Sequence, residues 1–242
     1  MDKQNPSSSM DQKSPKSDMS LEPTSSPIKK DSDIDTDSII NFIKEICGKS
    51  FETFKQPKLM VPLLIAGGVS WLIALLPILV LLTMPPLVLI VAPVTLVLGI
   101  MYSFSMANIT LKASKGVTPT IGDATKPFPR IINYIISYIL ILVQFIIRLF
   151  QPPFILPGFK YAIGSGLFIL ENLENDTPNE QAIEKSQAIT KGNLLNIFCL
   201  ILSLAVVSVI LTWIPLTFSI ATIITTPFTG LCVAHTYLKL KK

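Results

Sequence analysis

From Leu59 to Leu111 the chain runs 53 residues without one Asp, Glu, Lys or Arg, and from Gly192 to Leu238 it runs another 47. A third stretch, 131–170, holds 40 residues with only Arg148 and Lys160 charged. About 20 apolar residues of helix cross a bilayer's hydrocarbon core, so each stretch is long enough to cross twice. The expected fold is therefore all-α: a polytopic membrane protein of about six transmembrane helices arranged as three hairpins.

Proline places the turns, because it cannot continue a helix. Thr83-Met84-Pro85-Pro86 divides the first run into spans Leu59–Leu82 and Leu87–Ile109. Gln151-Pro152-Pro153 divides the second into Ile131–Phe150 and Phe154–Leu170. Trp213-Ile214-Pro215 divides the third into Leu194–Trp213 and Leu216–Tyr237, with Trp213 expected at the headgroup level and Trp71 between helices.

Residues 1–38 differ in kind. They hold ten Ser, four Pro and no aromatic residue, too little apolar area to offset the entropy of ordering, and are expected to be a disordered polar tail. They lack the apolar core of a secretory signal peptide. Residues 39–57 then read as an amphipathic interfacial helix. Ile39, Ile40, Ile43, Ile46, Cys47, Phe51 and Phe54 recur at helical spacing opposite Lys44, Glu45, Lys49, Glu52 and Lys55. Residues 58–242 form the transmembrane domain.

Charge sets the expected orientation. The tail carries five Lys against eight acids, which leaves the remainder at net +7. That excess sits beside the apolar runs: Lys44 to Lys58, the 110–130 loop with Lys112, Lys115, Lys126 and Arg130, and Lys239 to Lys242. With six spans these segments share one side, so both termini are expected in the cytoplasm, in what reads as a bacterial cytoplasmic membrane. Basic residues placed this way imply a lipid bilayer as partner, with other membrane proteins or a second copy as further partners, and no nucleic acid. Cys47, Cys199 and Cys232 have neither disulfide nor metal spacing, and no cofactor motif is present.

Two connections read as structured. Thr177-Pro178-Asn179-Glu180 has the parts of a helix start, ending at Gly192, with Asn193 capping the next span. Thr120 with Asp123 starts a short helix in the 116–123 loop, whose glycine spacing is wrong for a phosphate loop.

Pro157-Gly158, Tyr161, Leu170-Glu171-Asn172, Ala182, Ser186 and Lys191-Gly192 carry a resemblance. The pattern resembles an uncharacterised multi-pass bacterial family, similar to the membrane domain attached to some glycerophosphodiester phosphodiesterases. The likeness covers roughly residues 40–240 and is specific over 157–193. It implies about six helices and a membrane location. It implies no catalytic residue, since residues 1–58 are too short and too polar to be the phosphodiesterase domain.

Candidate sites follow from residue type and depth. Gly158, Ala162 and Gly166 make a small-residue stripe on the fourth span, as do Ala66, Ser70 and Ala74 on the first; both are expected to be helix-packing faces. Arg148 and Lys160 are candidate anion or lipid-phosphate contacts, with Gln144 one turn from Arg148, against a rival reading in which both snorkel to headgroups. Ser165 and His235 invite a test as a Ser–His pair, but no orienting or oxyanion group accompanies them. No carboxylate lies inside a span, which counts against coupled transport. The favoured function is a non-enzymatic membrane component that associates with lipid or protein. The rivals are a transporter or pore for a small solute, and an effector-like protein inserted in a vacuole membrane with its tail exposed.

Overall fold

The computed structural model describes residues 36–149, 156–212 and 218–242. The expected tail up to residue 35, the Gln151-Pro152-Pro153 turn and Trp213 lie outside these residues. The described residues fall in one unit, Thr36–Lys242, which contains helices and no strand.

Helix α1 runs Thr36–Lys55. It starts inside the segment expected as tail, because Asp37 in its first turn suits the positive end of the helix dipole. It stops at Gln56, whose ψ of 119° is the extended conformation favoured before a proline. Its buried face is Phe42, Ile46, Ser50 and Thr53, set against α9 and α10, while Ile40 and Phe51 remain outside. The apolar arc is wider than the face the bundle covers.

Helices α2 (Pro57–Thr83) and α3 (Val88–Ser114) form the first hairpin, turning through Pro85–Leu87 as expected. The N-terminal half of α2 and the C-terminal half of α3 bury Leu59, Leu63 and Ala66 against Met106, Ile109, Ala113 and Leu231. The short helix α4 (Ile121–Thr125) starts with the Thr120–Asp123 capping box. Lys112 pairs with Asp123, and Asn108 Nδ2 donates to the Asp123 carbonyl at 2.7 Å, so α4 is tied back onto α3. Helix α5 (Ile131–Leu149) follows the third expected span.

The fourth expected span is not one helix. Its place is taken by α6 (Leu156–Ser165) and α7 (Phe168–Asn175), separated by a turn at Gly166 and Leu167. At 10 residues α6 rises about 15 Å, half of the ~30 Å hydrocarbon core. Gly166 therefore lies off the helix that carries Gly158 and Ala162, and the four-residue stripe ends with Ala162.

Helix α8 runs Asn179–Thr190 and α9 Leu194–Thr212. Pro178, not Thr177, precedes the first helical residue; the Thr177 carbonyl is taken by the Asn172 side chain, which holds it to α7. Gly192 has φ +91°, the left-handed conformation expected of it at this helix end. Helix α10 (Phe218–Leu240) packs against α1, α2, α3 and α9. Among the described residues, four stretches are long and apolar enough to cross a membrane: Pro57–Thr83, Pro85–Ser114, Ile121–Arg148 and Leu194–Leu211.

Candidate functional site

The ends of α3, α5 and α10 meet α7 and α8 in a polar hub. Glu171 sits at its centre and is only 4% exposed. Its Oε2 accepts the Tyr237 hydroxyl at 2.7 Å, and its Oε1 accepts Asn175 Nδ2 at 2.6 Å. Lys185 and Lys241 lie 3.7 and 4.0 Å from its carboxylate. One turn on, Glu174 receives Lys115 at 2.5 Å, Lys241 at 2.7 Å and the same Tyr237 hydroxyl at 2.5 Å. Burial alone would raise the Glu174 carboxyl, yet hydrogen bonds from Lys115, Lys241 and Tyr237 outweigh it and hold the group at about 2.

Asn172, on the other side of α7, is equally committed. Its Oδ1 accepts the Tyr134 hydroxyl, and its Nδ2 donates to the Thr177 carbonyl and to Asn179 Oδ1. Asn179 Nδ2 in turn donates at 2.8 Å to both the Asn133 carbonyl and Ser137 Oγ of α5. Asp176 closes α7 in the left-handed conformation, φ +55°, and pairs with Arg130.

The break between α6 and α7 is stitched by α8. A helix turn missing at Gly166 frees the Gly164 carbonyl and the Leu167 amide. Ser186 meets both: its Oγ donates to Gly164 O at 2.6 Å and accepts Leu167 N at 3.2 Å. Ala182, Ser186 and Thr190 form a fully buried stripe along α8, so this helix docks inside its own chain. Every group in the hub has a partner, and the described residues contain no group of His, Cys, Asp and Glu able to hold a metal. The chemistry available is that of a lock: opposed charges and amides that fix α7.

Above this lock lies a cavity of about 1020 Å³ between α2, α3, α7 and α10, with Gly166, Ile169 and Leu170 along one boundary. Ser70 and Ala74 of the first-span stripe line it, and Gly166 joins them from the turn. Ala66 is instead buried in the α2–α3 core, where its carbonyl accepts the Tyr102 hydroxyl. Gly158 is buried and Ala162 half-buried on α6.

The remaining candidates are dispersed. Arg148 stacks on the Tyr161 ring, 4.1 Å from its centre, while Lys160 and Gln144 are exposed. Ser165 accepts Gln187 Nε2 at 3.1 Å and His235 pairs with Thr53 Oγ1 at 3.0 Å, so these two do not form a dyad.

Sequence reasoning missed the tightest helix contacts. A Cβ on Gly67 would sit 2.0 Å from the Ile223 carbonyl oxygen, and one on Gly230 would sit 2.7 Å from Thr110 Cγ2. The small-residue run Ala66-Gly67-Gly68 was the available signal. No known protein family, curated protein or solved structure matches the chain.

Proposed function

We propose that the chain is a six-span integral membrane protein without enzymatic activity of its own, which acts by associating with lipid or with other membrane proteins. The observation that carries this reading is the division of its surface. Leu89, Ile90, Ile132, Leu142, Val206 and Ile210 of the long helices are each half exposed or more, whereas the ion pairs collect where α3, α7 and α10 end. In water such a belt would drive aggregation; in hydrocarbon it is the solvated surface.

In this reading α2, α3, α5, α9 and α10 cross the bilayer as single helices, and the broken pair α6–α7 makes the remaining crossing from the far side of α5 back to the hub. The hub and α1 face the cytoplasm, where Lys44, Lys55, Lys58 and Lys126 meet anionic headgroups. The resemblance, specific over 157–193, is retained as part of the proposal. Its support is that Glu171, Asn172, Ala182 and Ser186, separate in sequence, are together in the buried hub and its α8 stitch.

Reporter fusions test the topology. Enzymes active only in the cytoplasm are expected to work at residue 1 and after Lys242 and to fail in the Thr83–Pro86 turn; an exported C-terminal reporter would overturn the span count. Native mass spectrometry of the protein in mild detergent tests association. Retained phospholipid or a stoichiometric membrane protein is expected, and solute flux through vesicles without either would favour a pore.

A further inference from the structure

We propose that the cavity between α2, α3, α7 and α10 is a binding site for a hydrocarbon chain of a bilayer phospholipid. The proposal rests on the membrane-embedded reading above and deepens it by naming the ligand.

The volume is the first argument. At about 1020 Å³ the cavity reaches the top of the ~300–1,000 Å³ range of ligand sites, far beyond the packing voids of a helix bundle. The cavity is open to its surroundings, so the medium around the helices reaches its walls, and dispersion contacts favour a filling whose chemistry matches theirs.

The lining says what that chemistry is. Among the described residues no Asp, Glu, Lys, Arg or His borders the cavity. A charged solute there would be stripped of water without compensation, which costs far more than binding returns. The walls do carry hydroxyls, and the protons of four of them are already used, Thr95 among them through the Val91 and Ala92 carbonyls. Tyr102 donates to the Ala66 carbonyl, Ser103 to Gly99 at 2.8 Å and Thr110 to Met106 at 2.8 Å. Ile73, Pro77, Leu96, Ile100 and Met106 leave the rest of the walls mostly hydrocarbon. An alkyl chain needs no hydrogen-bond donor.

The setting supplies the source. Two of the walls, α2 and α3, are among the helices long and apolar enough to cross a membrane, so the medium at the cavity's opening is acyl chain. Gly99 faces the open space, since a Cβ there would meet nothing within 4 Å. At one boundary Leu170 is followed directly by Glu171, so the hub that locks α7 also keeps that wall in place.

The test uses the full chain in phosphatidylcholine vesicles doped with a phosphatidylcholine whose acyl chain ends in a diazirine. After irradiation, adducts are mapped by peptide mass spectrometry. Labelling of Gly99, Ser103 and Met106 and of 226–233 is expected, beside the outer residues Leu89 and Ile90. Gly99→Phe projects a ring from the cavity wall and should lower the inner adducts about tenfold while sparing the outer ones. Gly68→Phe, at an equally open position that does not line the cavity, should change neither. Inner adducts absent from the parent, or lost equally in both variants, would overturn the site. The parent map decides alone if Gly99→Phe does not fold. Outer adducts without inner ones would leave membrane residence standing and remove only the cavity ligand; no adducts anywhere would remove both.

Discussion

Tyr237 reaches Glu171 across 66 residues of chain, its hydroxyl 2.7 Å from Oε2. The same oxygen lies 2.5 Å from Glu174 Oε2, so one phenolic proton serves two carboxylates and Lys115, Lys185 and Lys241 supply the balancing charge. Removing the hydroxyl leaves Glu171 buried with one partner fewer. Tyr237→Phe is expected to destabilise the protein by about 1–3 kcal/mol, the cost of an under-satisfied buried group. Thermal unfolding in detergent measures it, and an unchanged midpoint would show that Lys185 and Asn175 suffice.

Acid should weaken the fold through Glu45, Asp123, Glu174 and Asp176, all held below their ordinary values by paired Lys or Arg, with Glu45 and Glu174 the most displaced. Lys239 and Lys49 hold Glu45 at about 2, and the hub holds Glu174 at about 2, both below the ordinary 4.5. Folded-state values below the unfolded ones mean stability that is complete above pH 4.5 and lost as the pH falls toward 2. Denaturation midpoints across that window should therefore decline, and Glu174→Gln should flatten the decline. An identical slope in that variant would place the acid sensitivity elsewhere.

Ser186→Ala removes the one hydroxyl that serves both backbone groups freed at the α6–α7 turn. A loss of about 1–3 kcal/mol is expected. Faster amide exchange at Leu167 should accompany it, because that N–H loses its acceptor. Exchange that stays slow there would mean the turn holds without α8.

Gly67 and Gly68 are neighbours with opposite surroundings. Gly67→Ala drives a methyl toward the Ile223 carbonyl and must push α2 and α10 apart, at about 1–3 kcal/mol. Gly68→Ala meets open space and should gain up to about 1 kcal/mol from helix propensity. The pair compared by melting temperature isolates the contact, and equal effects would contradict the close approach.

Much of this architecture is legible in the chain because the bilayer imposes long charge-free runs and proline marks their turns. Leu59–Leu82, Leu87–Ile109 and Leu194 onward lie within a few residues of the observed helices for that reason. The α6–α7 break is not legible. Nothing local demands it: Gly166 permits a turn, but Ser186, 19 residues after Leu167, is what makes the turn affordable in hydrogen bonds. The small-residue stripes fail in part for a similar reason. Counting every fourth residue selects Ala66, Ser70 and Ala74, whereas the close contact falls on Gly67 because of where Ile223 arrives from another helix. Glu171 was visible as part of a pattern but not as a buried carboxylate, since its partner Tyr237 belongs to the last helix.

The contact between Gly67 and Ile223 also bears on how the protein is made. During synthesis the α2–α3 hairpin emerges well before α10, so its glycine face must wait in lipid, unclaimed, until the rest of the domain has been threaded in. A product stopped short of α10 would expose both that face and the underside of α1. The last helix to emerge is thus the one that closes both faces.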